Sequence, residues 1–168
     1  MTITLHARPY DISAEGFYFR SAEEFDRNVT NARNSHGDPV EEFEIQFIDG
    51  ASIHCELAEA IGINQENVGW FFASADAWDE QEKTVVILAI GECGYVFDSN
   101  TTPDDFDLDI YHVDSMRELA EQFVDEGMFG EIPERLQNYL DYDAIARDLA
   151  VDYTEAVIAG ERLIYRCA

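Results

Sequence analysis

The chain has 168 residues, 46% hydrophobic and 12% aromatic, which is enough apolar material for a folded core and argues against wholesale disorder. Its 36 Asp and Glu against 10 Lys and Arg give a formal charge of −26, which excludes a basic nucleic-acid binder. No apolar run approaches the ~18 residues of a membrane span, and MTITLHARPYD lacks the features of a signal peptide, so a cytoplasmic protein with no membrane partner is expected.

Residues 2–8 (TITLHAR) alternate and predict a strand, and FYFRS from Phe17 predicts a second. Ser21 followed by Glu24 is a capping box that opens a helix over 22–34. SHGDP at 35–39 ends it, and EEFEIQFID at 41–49 predicts a third strand closed by the Asp49-Gly50 turn signal. The next stretch reads as helical. HCELAEAIG is a short helix ending near Gly62. QENVGWFFASADAW is a second, with Trp70 and Phe71 as core candidates. Residues 79–92 (DEQEKTVVILAIGE) are a third, acidic in its first turn as the helix dipole favours; the run VVILAI is also compatible with a buried strand. DLDIYHV predicts a strand. Asp114 or Ser115 caps a helix, SMRELAEQFVDEG, that stops at Gly127. Ile132-Pro133 opens a short helix through Tyr139, and Asp141 caps YDAIARDLAVDY. EAVIAGERLIYRC is a hairpin around Ala159-Gly160. The expected class is α+β: a sheet with a crossing helix, a helical middle, then helices with a hairpin.

The charge is unevenly placed. Residues 1–33 have net charge −1, residues 34–116 net −18 with Lys83 as their only cation, and residues 117–168 net −7. A solvent adaptation such as that of halophiles would spread its acids evenly, so the asymmetry points to a dedicated acidic face. The acids also alternate with core-forming residues. Asp104, Asp105, Asp107 and Asp109 flank Phe106, Leu108 and Ile110, while Asp76, Asp79, Glu80 and Glu82 lie between the aromatic stretch at 70–72 and VVILAI. Folded elements therefore hold these carboxylates in place.

Catalytic chemistry has no foothold. G-x-S-x-G, H-E-x-x-H, Walker A and G-x-G-x-x-G are all absent, so no enzyme and no cofactor are expected. His54 and Cys55 are adjacent in sequence and point different ways, which disfavours joint metal ligation. A calcium loop starting at Asp105 would place Ile110 at position six and Met116 at twelve; one starting at Asp104 would place Asp109 and Ser115 there, and both fail. Cys55, Cys93 and Cys167 form no C-x-x-C pair and read as small buried thiols.

What remains is the charge itself. Duplex DNA carries one charge per about 1.7 Å of axis, so 26 net charges correspond to roughly 44 Å of duplex. Acids at i, i+3 and i+4 of a helix sit about 5–6 Å apart, close to the spacing of a phosphate row. Glu118, Glu121 and Asp125, with the neighbouring Glu126, follow such a pattern, as do Asp76, Asp79 and Glu80. The candidate phosphate-like surface therefore comprises these residues with Glu82, Asp104, Asp105, Asp107, Asp109 and Asp114.

The C-terminal stretch GMFGEIPERLQNYLDYDAIARDL, followed by IAGERLIYRC, resembles the corresponding region of ArdA antirestriction proteins, and the start ITLHARPYD and the acidic middle fit the same family. The resemblance implies a mobile-element protein that mimics DNA and blocks type I restriction–modification enzymes by occupying their DNA groove. It implies three small domains in an elongated molecule: an N-terminal α+β domain over 1–60, a helical acidic domain over 61–103, and a C-terminal α+β domain over 104–168 that joins two copies. It also places the antirestriction motif at 127–143, with Met128, Phe129, Ile132, Pro133, Leu136 and Tyr139 as contact or packing positions. The alternative from the charge alone is an acidic module that binds another basic DNA-binding protein.

Overall fold

Alternation predicts a sheet at the N-terminus and a hairpin at the C-terminus, and the computed structural model, which describes residues 2–168, contains two three-stranded sheets, the second formed by the hairpin with one further strand. The chain divides into two compact units, Met1–Phe106 and Asp107–Ala168. The first is built on three antiparallel strands, β1 (Thr4–Pro9), β2 (Phe17–Phe19) and β3 (Phe43–Asp49), in the order β2-β1-β3. One face of β1 is apolar, and Leu5 and Ala7 are fully buried. They share the core with Phe19, Phe25, Phe43 and Ile45. Helix α1 (Ala22–Asn31) closes this face by burying Phe25.

The capping box at Ser21 forms with an offset. Glu24 N–H donates to Ser21 Oγ at 3.1 Å, while the Glu24 carboxylate accepts from Arg20 N–H at 2.9 Å, one residue before the cap. α1 stops at Asn31 rather than at residue 34. Thr30 Oγ and Asn31 Nδ2 donate back to the carbonyls of Asp26 and Arg27, and the chain then leaves the helix to pair Arg33 with Pro39 around the SHGDP turn.

Three further helices complete this unit. α2 (Ser52–Ile61) ends at Gly62, whose φ of 59° is the left-handed cap conformation. α3 (Val68–Ala77) starts three residues later than its sequence suggests. The cause is local: Asn64 Oδ1 accepts from the N–H groups of Glu66 and Asn67, and Asn67 Oδ1 accepts from Asn64 N–H, so residues 64–67 are held in a side-chain-closed turn. Phe71 is fully buried as expected, whereas Trp70 is half-buried and stacks on Phe97 with ring centroids 5.1 Å apart. α4 (Glu80–Val86) runs on into a π-helical turn over Ile87–Glu92, so VVILAI is helical. The wider turn is visible in the 2.9 Å bond from Cys93 N–H to Leu88 C=O. Gly91 lies against α2, where an added Cβ would sit 3.2 Å from Ala60 Cβ.

The second unit pairs β4 (Leu108–Tyr111), β5 (Thr154–Ile158) and β6 (Glu161–Cys167) in the order β4-β6-β5. Ala159 and Gly160 turn the β5–β6 hairpin, with φ of 51° and 84°. Helix α5 (Met116–Asp125) is capped by Ser115 and buries Leu119, Ala120 and Phe123. α6 is a single turn, Glu134–Gln137, and ends before Tyr139. α7 (Tyr142–Leu149) is capped by Asp141 and packs on α5. It ends before Tyr153, which enters the core of Leu119, Phe123 and Ile164. None of the three cysteines is fully buried: Cys55 and Cys93 are half-buried and Cys167 is exposed. No helix among the described residues is long and apolar enough to cross a membrane.

Candidate functional site

In the first unit, Asp76 lies near the end of α3 with its side chain exposed. Asp79 is the N-cap of α4: Glu82 N–H donates to Asp79 Oδ1 at 2.8 Å, and Asp79 N–H donates to Glu82 Oε2 at 2.9 Å. Glu80 stands exposed in the same first turn. A second reciprocal cap occurs in the 3-10 turn Pro103–Asp105, where Thr102 N–H donates to Asp105 at 2.8 Å and Asp104 is left exposed. Capping uses one carboxylate oxygen on backbone N–H groups and leaves the charge in place, next to a helix end that favours it.

The only cation between Arg33 and Arg117 is withdrawn from this surface. Lys83 is 7% exposed, and its Nζ lies 3.1 Å from His54 Nε2. That contact requires His54 to be neutral and accepting at Nε2, which puts its proton on Nδ1. Nδ1 is buried and has no hydrogen-bond partner. Burial first, and then the charge of Lys83, hold the His54 pKa below its usual value, with Asp76 acting in the opposite direction. The sequence contained a signal for this pair: Lys83 precedes an apolar run, and helical spacing places it on the buried face with Val86 and Ile87.

The second unit treats its acids differently. Asp107 and Asp114 have exposed carboxylates, and Asp125 projects from the end of α5. Glu118 accepts from Asp114 N–H at 2.6 Å, and Glu126 accepts from Gln122 Nε2 at 3.1 Å. Asp109 and Glu121, however, are paired with arginines. Arg166 Nε donates to Asp109 at 2.9 Å, and its guanidinium lies 5.0 Å from the centre of the Tyr153 ring. Arg117 reaches Glu121 at 3.2 Å and Asp143 at 2.7 Å. The Asp109–Arg166 contact depends on the β4–β6 register, which sequence alone does not supply.

The carboxylates proposed from sequence thus divide in two. Asp76, Glu80, Asp104, Asp107, Asp114 and Asp125 have exposed side chains that make no hydrogen bond or ion pair among the described residues. Asp79, Glu82, Asp105, Glu118 and Glu126 engage N–H groups, and Asp109 and Glu121 are charge-compensated.

The apolar positions fall in and around α6. Met128, Phe129, Leu136 and Tyr139 are exposed, Tyr139 by 83%, Pro133 is exposed and Ile132 half-buried. Phe129 touches the core edge-on, its ring 6.3 Å from that of Phe123. Val151 and Val157 of the same unit, and Tyr10, Ile12 and Tyr18 of the first unit, are also exposed and were not anticipated. For Tyr18 the signal was present, since β-strand alternation turns it away from the face that buries Phe19.

No group of three or more His, Cys, Asp or Glu among the described residues is arranged to hold a metal ion. A family model described as antirestriction protein (ArdA) matches residues 12–161. No curated protein matches the chain.

Proposed function

The chain belongs to the ArdA family of antirestriction proteins, and on that premise we propose that it acts as a DNA mimic, occupying the DNA groove of a type I restriction–modification enzyme. The observation that carries this reading is the fate of Lys83. A stretch with net charge −18 has one cation, and that cation is buried against His54. The exposed side chains of Asp76, Glu80 and Asp104 therefore face solvent on folded elements with no cation paired to them. Fixed carboxylates satisfy the lysines and arginines of a DNA groove as phosphates do, and displace DNA by competing for them.

In this reading the segments 1–60, 61–103 and 104–168 have separate tasks, and the stretch 34–116, at net −18, carries most of the excess charge. The exposed apolar side chains of Met128, Phe129, Leu136 and Tyr139 join two copies through the C-terminal unit, because so acidic a surface gains by covering apolar area and like charges oppose joining through residues 34–116, at net −18 against −7 for 117–168. The test is equilibrium competition: purified chain against labelled DNA for a type I methyltransferase. Displacement with a rising apparent DNA dissociation constant is expected. A ternary complex in which chain and DNA bind together would overturn the reading.

A further inference from the structure

Arg117 stands out because it holds two carboxylates from two helices. Its Nε lies 3.2 Å from Glu121 on α5, its Nη1 lies 2.7 Å from Asp143 on α7, and its guanidinium lies 5.8 Å from the centre of the Tyr142 ring. All three charged side chains are about half exposed or more, with 52% for Arg117, 46% for Glu121 and 65% for Asp143. Both carboxylates raise the guanidinium pKa above its ordinary value. An incoming cation meets a triad of net charge −1 where two free carboxylates would offer −2.

We propose that Arg117 is a positioning residue that acts as an internal counterion: it withholds Glu121 and Asp143 from the partner's cations and lowers the affinity of the second unit's helical face. The proposal rests on the DNA-mimic reading above. The competition it describes is local. Arg147, on α7 with Asp143, has the same charge as Arg117 and makes no ion pair among the described residues. Exchanging either arginine for glutamine changes the net charge equally, but only Arg117→Gln frees carboxylates.

The experiment is a thermodynamic cycle. Arg117→Gln, Arg147→Gln, Glu121→Gln/Asp143→Asn and the combined triple variant are compared in two assays: displacement of DNA from a type I methyltransferase, and calorimetric binding of a hexa-arginine peptide. Arg117→Gln is expected to bind the peptide about threefold more tightly, the scale of an exposed ion pair, and Arg147→Gln to gain less. Removing both carboxylates should cost more in the Arg117→Gln background than in wild type. Equal costs in the two backgrounds, or equal gains from the two arginines, would overturn the proposal. Because Arg117 also ties α5 to α7, Arg117→Lys serves as the second variant. It keeps the charge without the fork, so an intermediate gain is expected, and a loss of binding would mean that Arg117 organises the acids rather than withholding them. If the wild-type chain fails to displace DNA, the mimic reading falls, while the peptide cycle still decides the role of Arg117.

Discussion

At the scale of single residues, the buried Lys83–His54 contact makes a pH prediction with a definite sign. His54 is neutral in the fold, and its pKa is held below the ordinary 6.5 by burial and by Lys83. A histidine whose folded pKa is depressed contributes stability above its unfolded pKa and loses it as pH falls through that value towards the folded one. Denaturation midpoints of wild type and His54→Gln should therefore converge as pH drops below 6.5, after allowing for their common drift. Parallel profiles would contradict the assignment. Lys83→Met removes one of the downward influences, so the His54 ring should titrate at higher pH in an NMR experiment; an unchanged or lower value would show that Lys83 does not act on it.

The exposed acids make the complementary prediction. Glu80→Gln alone should change partner affinity by no more than about 1 kcal/mol, the ceiling for an exposed ion pair. A single carboxylate whose loss abolishes inhibition would mean a localised hot spot instead.

At the scale of elements, the caps separate stability from charge. Asp79 caps α4 through Glu82 N–H, and asparagine caps as well as aspartate. Asp79→Asn should keep the urea midpoint near wild type, whereas Asp79→Ala should cost about 1 kcal/mol. Equal losses would show that the charge, not the cap, holds the helix. The β5–β6 turn offers a gain. Ala159 adopts φ 51° ahead of Gly160, a conformation that asparagine tolerates better than alanine. Ala159→Asn should raise the melting temperature.

The same elements show what the sequence could and could not convey. Ser21, Ser115 and Asp141 marked their helices because a cap is a local hydrogen bond, readable from two or three residues. The end of α1 was not readable, because its pairing of Arg33 with Pro39 lies beyond the helical period. The start of α3 was hidden by the Asn64–Asn67 turn. VVILAI has no amphipathic period and read as helix with a buried strand as the alternative; packing of the π-helical turn on α2, with Gly91 against Ala60, accompanies the helical outcome. The acidic character of the candidate surface was legible as composition. Which acids stay unpaired was not, because Arg117 and Arg166 reach Asp143 and Asp109 across elements.

At the scale of the whole molecule, net charge and exposed apolar area are the two properties that the proposed function uses. If two copies join through the second unit, Phe129→Glu or Tyr139→Asp should give folded monomers by sedimentation, since each places a charge among side chains that are now exposed. A wild type that is monomeric at micromolar concentration would remove the dimer from the account. The acidic surface is tested most directly by the salt dependence of affinity for a type I methyltransferase, measured for wild type and for a variant carrying Asp76→Asn, Glu80→Gln and Asp104→Asn together. Screening weakens any contact made by charge, so the logarithm of wild-type affinity should fall steadily with the logarithm of salt concentration. The variant should bind more weakly at low salt and fall less steeply. An affinity indifferent to salt, or a variant that retains the wild-type slope, would contradict charge mimicry by these carboxylates.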